Sequence, residues 1–212
     1  MSDRPTARSD QRRPAPSLVL MGLRGCGKST LGRLAAQRAG VAFVDLDGVV
    51  AQALGGGSIS DIWSRLGEAR FREAEREALA ALRLGGPDPG ARVIALGGGT
   101  PTAPGAAAML ADAADAGAIS LVYLFAAPDL LRSRLALGGA GDRPSLTGAG
   151  TLAEIEAVFA ARDPLYRRLA TLVLGTAGRS VESLADELAA LIDARRPPPA
   201  RPGRTPAPTP DP

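Results

Sequence analysis

The feature that most constrains this chain is a glycine-rich turn between an apolar run and a helical pattern, in the stretch SLVLMGLRGCGKST. Gly22, four further residues, and then Gly27, Lys28 and Ser29 match the P-loop pattern, in the strand-then-helix context that it requires. Glycines let backbone N–H groups surround a polyphosphate, lysine reaches its β- and γ-phosphates, and the serine hydroxyl binds Mg²⁺. We therefore expect a nucleotide to contact Gly25, Cys26, Gly27, Lys28, Ser29 and Thr30.

A bias in the basic residues supports this interpretation. The chain has 25 lysine and arginine residues, and Lys28 is the only lysine among them. A compact, flexible ammonium group fits between phosphates where a planar guanidinium fits poorly. The chain thus keeps lysine at the position where this chemistry distinguishes the two side chains.

Length and charge indicate one domain with basic tails. A chain of 212 residues that is 45% hydrophobic can bury a full core. Residues 1–17 carry a net charge of +2 and residues 195–212 carry +3, so the part between them is −2, although the whole chain is +3. Because the folded part is acidic and only 3% of residues are aromatic, we expect no nucleic-acid partner.

The numbers of cysteine and histidine residues limit which metal sites and which catalytic bases the chain can have. The chain has one cysteine, Cys26, and no histidine, which removes the usual zinc ligand sets and fits a reducing compartment. Any general base must therefore be Asp, Glu, Tyr or water. No apolar run approaches the 18 residues of a membrane span, so we expect a cytoplasmic protein with no membrane partner.

Alternating strand and helix patterns define the fold class. They predict a three-layer α/β/α sandwich around a five-stranded parallel sheet, a P-loop NTPase fold with the nucleotide at the first turn between a strand and a helix. We expect a disordered arm at 1–16, one domain at 17–194 and a Pro-rich disordered tail at 195–212. Within the domain we expect Ser60 to cap a helix, and a later helix to break at Pro164.

Several chemical groups follow predicted strands or begin helices. Asp45 and Asp47 end the short strand VAFVDLD, and would point the same way if that strand persists. Arg72 lies early in a helix that begins near Glu68, where it is either a solvated surface residue or a ligand contact. The run Gly97–Gly99 follows a buried strand, so it is either a flexible turn or a place where something approaches the backbone closely.

A second glycine-rich stretch, LGGAGDRPSLTGAG (137–150), contains Arg143 before a proline. It fits a mobile lid that carries one cation, and the alternative is a plain linker.

In order, these pieces resemble the shikimate kinase family, P-loop enzymes that phosphorylate the 3-hydroxyl of shikimate with ATP on the route to chorismate and aromatic amino acids. The resemblance covers residues 17–194 and rests on GLRGCGKSTLGR, FVDLD, GxSISDIW, GEARFREAE, ALGGGT, DRP and RDPLYRRLA. It implies a P-loop NTPase fold of the nucleoside monophosphate kinase type with a lid, and an ATP- and Mg²⁺-dependent kinase, which we expect to be a monomer.

The resemblance also implies roles, one position at a time. Lys28 resembles the phosphate-binding lysine, Ser29 a Mg²⁺ ligand, Asp45 the acid that holds Mg²⁺ through water, and Asp47 the residue that orients the attacking hydroxyl. The remaining correspondences are Arg72 and Arg162 with Gly98 for the shikimate carboxylate, Arg143 for the ATP phosphates, and Arg179 near the adenine.

Two departures from the family pattern and two alternative functions stand beside this interpretation. Ser145 replaces the apolar residue that usually follows the Arg-Pro of the lid, and the lid is rich in small residues. A gluconate-type kinase of the same fold would share the P-loop without needing two carboxylate-binding arginines. A non-catalytic ligand sensor built on the same domain is the other alternative, although we would expect it to carry a DNA-binding helix-turn-helix, for which 16 residues are too few.

Overall fold

Strands and helices alternate along the chain. The computed structural model describes residues 16–84, 90–137 and 154–194. The strands are β1 (Ser17–Met21), β2 (Ala42–Asp45), β3 (Arg92–Ala95), β4 (Ile119–Phe125) and β5 (Leu172–Gly175). The helices are α1 (Lys28–Ala39), α2 (Leu46–Ala53), α3 (Ile59–Ala81), α4 (Ala106–Asp115), α5 (Pro128–Leu137), α6 (Ile155–Leu169) and α7 (Val181–Asp193), with a 3₁₀ turn at Thr100–Thr102.

The five strands form one parallel sheet in the order β2-β3-β1-β4-β5. Strand β1 is central and buried along its whole length, as a parallel sheet covered on both faces requires. Helices α1 and α7 pack together, while α4 and α6 pack on β4. The predicted α/β fold and its five-stranded sheet are therefore confirmed.

The sheet register brings three chain segments to one edge. Asp45, at the end of β2, is paired with Ala95 at the end of β3, and Leu20 of β1 is paired with the same alanine. The P-loop after β1, the acidic segment after β2 and the glycine run after β3 therefore leave the sheet side by side. Ligand sites of open parallel sheets lie at this edge.

Three local predictions are wrong. Ser58, not Ser60, caps α3, because its hydroxyl accepts from the Asp61 N–H 3.0 Å away. Strand β2 ends at Asp45, so Asp47 lies in the first turn of α2 and does not share a strand face with Asp45. Helix α6 continues through Pro164, which places Arg162 in its interior and not at its end.

Tertiary contacts explain why α6 survives its proline, which removes one backbone hydrogen bond and usually kinks a helix. Just before Pro164, Asp163 accepts a 2.9 Å hydrogen bond from Tyr123 of β4. Just after it, Tyr166 is fully buried and its hydroxyl donates to the Gly98 carbonyl at 2.6 Å. The helix is thus fixed to the sheet and to the glycine run on both sides of the proline.

Other expectations lie outside the described residues. The arm up to residue 15, the lid from 138 to 150 with Arg143 and Ser145, and the tail from 195 stay predictions. Within the described segments, no helix combines the length and apolar composition needed to cross a membrane.

The approach of α1 to the sheet gives a stability test. A Cβ on Gly32 would lie 2.7 Å from Phe43 Cε2 and 3.0 Å from Leu20 Cδ1. Gly32→Ala should therefore lower the free energy of unfolding by about 1–3 kcal/mol, measured by urea denaturation. The control is Gly48→Ala in α2, where a Cβ meets nothing within 4 Å, and which should be neutral or stabilise by up to about 1 kcal/mol. Equal losses in the two variants would contradict this packing.

Candidate active site

The turn between β1 and α1 requires its glycines. Gly22, Gly25 and Gly27 have φ values of 149°, 82° and 100°, a region that other residues rarely adopt. A Cβ on Gly22 would also lie 2.7 Å from the Leu124 carbonyl oxygen. Gly27 immediately precedes α1, so the loop ends at the N-terminus of this helix, where backbone N–H groups favour an anion.

The Lys28 ammonium lies inside this turn. Its side chain is 8% exposed, and Nζ donates to the carbonyl oxygens of Gly22 at 2.8 Å and Leu23 at 3.1 Å. Cys26, 1% exposed, places its Sγ 3.8 Å from the same nitrogen. The predicted phosphate lysine is therefore held at the loop by the loop's own backbone.

Ser29 and Asp45 meet across the sheet edge. The serine hydroxyl, in the first turn of α1, donates to Asp45 Oδ2 at 2.7 Å. Ser29 and its neighbour Thr30 are both exposed. A hydroxyl and a carboxylate at this point suit Mg²⁺, which takes one or two protein oxygens and completes its shell with water and phosphate. Within the described segments, no group of three or more His, Cys, Asp or Glu side chains is arranged to hold a metal ion.

A cleft of about 740 Å³, including its open mouth, lies beside the loop. The predicted residues Asp47, Arg72, Gly98 and Arg162 all line it, so the structure brings this part of the predicted site together. The other lining residues are Leu23, Arg24, Ile59, Trp63, Phe71, Glu75, Gly99, Leu131, Leu135, Glu154, Ile155 and Val158. The cleft thus has an apolar wall and a small set of charged groups, as a small-molecule site does.

Gly98 and Gly99, the last two residues of the run Gly97–Gly99, form the floor of this cleft. A Cβ on Gly97 would collide with Asp47 Oδ1 and would lie 2.7 Å from Glu75 Oε1 and 2.8 Å from Thr100 Oγ1. A Cβ on Gly99 would collide with the Arg72 guanidinium, 2.7 Å from its Cζ. A side chain at either position would displace these groups, so the run is a place where charged side chains approach the backbone closely.

Arg72 is held on several sides. Its Nη1 donates to Glu75 Oε2 at 2.6 Å, and its Nε lies 3.4 Å from Glu68 Oε1. Its guanidinium also stacks over the Trp63 ring, 5.2 Å from the centroid. The Arg72 side chain is 13% exposed, against 44% for the neighbouring Arg70, so Arg72 belongs to the cleft and is not a solvated surface residue.

Arg162 reaches the same floor from α6. Its Nη1 donates to the Gly98 carbonyl oxygen at 2.9 Å, one turn before Tyr166, whose hydroxyl donates to the same oxygen. Burial raises the pKa of Tyr166 to about 12, so this hydroxyl remains a donor at neutral pH. Arg162 and Arg72 therefore flank the glycine run from two different helices.

Three further charged residues line the cleft that were not predicted from the sequence: Arg24, Glu75 and Glu154. Burial lowers the pKa of Arg24, and the nearby Glu154 carboxylate opposes that shift. Glu154 is 6% exposed and precedes α6. A signal existed only for Glu75, because helical periodicity places it on the buried face of α3 with Phe71.

Arg179 is not part of this cleft. It lies before α7, where its Nη2 is 2.5 Å from Glu187 Oε2 and 3.4 Å from the Ser183 hydroxyl. Its predicted place near an adenine stays a prediction.

A P-loop follows the central strand of the parallel sheet, with a Ser–Asp pair and a cleft that holds a few charged groups beside it. This arrangement defines a P-loop phosphotransferase that acts on a small acceptor. Comparison with known proteins narrows this class. The shikimate kinase family model matches residues 24–193. The shikimate kinase of Geobacter sulfurreducens is 39% identical over 83% of this chain and 90% of its own length. That of Rhodopirellula baltica is 38% identical over 81% of this chain and 87% of its own.

A solved structure agrees with these relatives. Shikimate kinase from Acinetobacter baumannii, in complex with shikimate, superposes with a TM-score of 0.73 at 28% identity, covering 86% of this chain and 95% of that chain. The chain therefore belongs to the shikimate kinase family.

The P-loop geometry gives a direct test. Lys28→Met keeps the aliphatic stem and removes the charge, so phosphoryl transfer should fall on the order of 10²- to 10³-fold or more, as on removing a transition-state donor. Lys28→Arg should not restore activity, because the guanidinium is planar and larger. Initial rates are measured with a coupled ADP assay, and circular dichroism checks folding. Near-normal turnover in a folded Met variant would refute the phosphate role.

Proposed function

We propose that this chain transfers the γ-phosphoryl group of ATP to the 3-hydroxyl of shikimate, using Mg²⁺, and releases shikimate 3-phosphate and ADP for the route to chorismate and aromatic amino acids. The observation that carries the proposal is the meeting of Asp47, Arg72 and Arg162 around Gly97–Gly99, directly beside the P-loop. An acidic group for a hydroxyl and two arginines for a carboxylate match the two ends of shikimate.

Arg72 and Arg162 bind the carboxylate in this proposal. Two guanidiniums suit one carboxylate because their planar forks can bond both of its oxygens. Both side chains are already oriented, one by Glu75 and the other by the Gly98 carbonyl. Ordering them on binding therefore costs little, which favours affinity.

Asp47 meets the attacking hydroxyl. It is partly buried in the first turn of α2, and its Oδ1 approaches the Gly97 backbone. In the reaction the shikimate oxygen bonds to phosphorus as the bond to the leaving ADP oxygen breaks, and Asp47 takes the hydroxyl proton. With no histidine in the chain, a carboxylate is the available side chain for this role.

Charge neutralisation comes from groups on the nucleotide side. Ser29, with Asp45 acting through water, would hold Mg²⁺, and the ion would supply positive charge to neutralise the phosphates during transfer. Lys28 binds the phosphates. Arg143 is assigned to the ATP phosphates by resemblance, as Arg179 is to the adenine.

We propose that the chain acts as a monomer, in the cytoplasm, on ATP and shikimate, without nucleic acid or membrane. The family model and the relatives reported above support neither the gluconate-type kinase nor the ligand sensor.

The carboxylate assignment predicts a selective effect on substrate affinity. Arg72→Ala and Arg162→Ala should each raise the shikimate KM roughly 10- to 150-fold, since a charged hydrogen bond contributes about 1.5–3 kcal/mol. The ATP KM should change less than about threefold. Arg70→Ala is the matched control, because Arg70 lies on the exposed side of α3 and contacts Glu73 and Glu77. Equal effects on both substrates would contradict the assignment.

The Asp47 assignment predicts an effect on chemistry. Asp47→Asn keeps the shape and removes the charge, so single-turnover phosphorylation should slow by about 10²- to 10⁴-fold, while ATP affinity barely changes. The control is Asp115→Asn, an exposed carboxylate at the end of α4. Undiminished chemistry in the Asp47 variant would exclude Asp47 as the base, and absence of chemistry in the wild type would exclude the kinase itself.

A further inference from the structure

Thr100 belongs to a chain of buried hydrogen bonds that ends at Arg72. Thr100 is the first residue of the 3₁₀ turn that follows the glycine run, and it is 0% exposed. Its Oγ1 donates to Glu75 Oε1 at 2.7 Å, and Glu75, 1% exposed, accepts from Arg72 through Oε2 at 2.6 Å. Each carboxylate oxygen of Glu75 thus has its own donor.

Two donors on opposite oxygens fix the rotation of a carboxylate. The last torsion of a glutamate is otherwise broad and only weakly preferred. A buried carboxylate oxygen without its donor also carries a desolvation penalty, which favours any rotation that finds another donor. The Thr100 hydroxyl therefore holds Glu75 in the orientation that serves Arg72.

Arg72 has a second acidic partner. Glu68, whose side chain is 60% exposed, lies 3.4 Å from Arg72 Nε, whereas the buried Glu75 accepts from Nη1 at 2.6 Å. A guanidinium that exchanges the buried carboxylate for the exposed one moves away from Gly99, where the missing Cβ leaves room for it. The orientation of Glu75 therefore decides how deep in the cleft Arg72 stays.

We infer that Thr100 is a positioning residue for substrate recognition: through Glu75 it keeps the Arg72 guanidinium at the floor of the cleft, and so sets the affinity for the acceptor carboxylate. This inference rests on the proposed role of Arg72. Thr100 itself does not line the cleft, so it acts through its neighbours and not by touching the substrate.

The test compares Thr100→Val, which removes the hydroxyl at nearly constant volume, with Thr100→Ser, which keeps it. Shikimate binding is followed by the fluorescence of Trp63, the only tryptophan of the chain and part of the cleft wall. Thr100→Val should raise the shikimate Kd and KM about three- to tenfold, with kcat and the ATP KM within about twofold. Thr100→Ser should restore wild-type affinity to within about twofold.

A purely structural role gives a different pattern. It would lower the melting temperature or the active fraction of Thr100→Val without changing the shikimate Kd, and that result would overturn the inference. Where the Val variant does not fold, Thr100→Ala removes the same hydroxyl without adding atoms and is measured against the same Ser variant.

A double-mutant cycle separates this inference from the proposed function. In an Arg72→Ala background, Thr100→Val should raise the shikimate Kd no further, because the guanidinium that it positions is gone. An undiminished effect there would overturn the inference. If Arg72→Ala alone leaves the Kd unchanged, the proposed role of Arg72 fails; if Arg72→Ala weakens binding and Thr100→Val does not, only the inference fails.

Discussion

The approach of charged side chains to the backbone of Gly97–Gly99 is the constraint on which the site depends. Any side chain at Gly97 or Gly99 would occupy space that Asp47, Glu75 or Arg72 now fills. The approach is possible because the run leaves β3 at the sheet edge that β1 and β2 also reach. The parallel pairing of the strands thus places the P-loop, the acidic segment after β2 and the glycine run after β3 side by side without any ligand.

The charges in the cleft are balanced and specifically placed. Three arginines, Arg24, Arg72 and Arg162, line it with three acids, Asp47, Glu75 and Glu154. Because this set carries no excess of positive charge, the proposed recognition of a carboxylate depends on where the guanidiniums of Arg72 and Arg162 are held. Glu75 orients the first and the Gly98 carbonyl orients the second. The proposed function thus gives a reason for a buried glutamate beside a site that would take an anion.

Much of the fold and part of the candidate site could be predicted from the sequence, because short local patterns encode them. The P-loop, the strand order along the chain and the glycine run all follow from short patterns. Asp45 and Asp47 would share a strand face only if β2 continued past Asp45, whereas the chain turns into α2 there. The contacts on either side of Pro164, and the positions of Arg24 and Glu154 in the cleft wall, depend on residues distant in sequence, which no local pattern encodes.

The most direct test of the proposed function is to identify the product that the wild-type protein makes. Purified protein is incubated with Mg²⁺, ATP and either shikimate, quinate or gluconate, and the products are identified by ³¹P and ¹H NMR. A shikimate kinase should form one phosphomonoester, on the 3-hydroxyl of shikimate, in an amount equal to the ADP released. Its reaction with quinate and gluconate should be far slower. Release of inorganic phosphate alone, or phosphorylation of gluconate at a rate equal to that of shikimate, would contradict the proposed function.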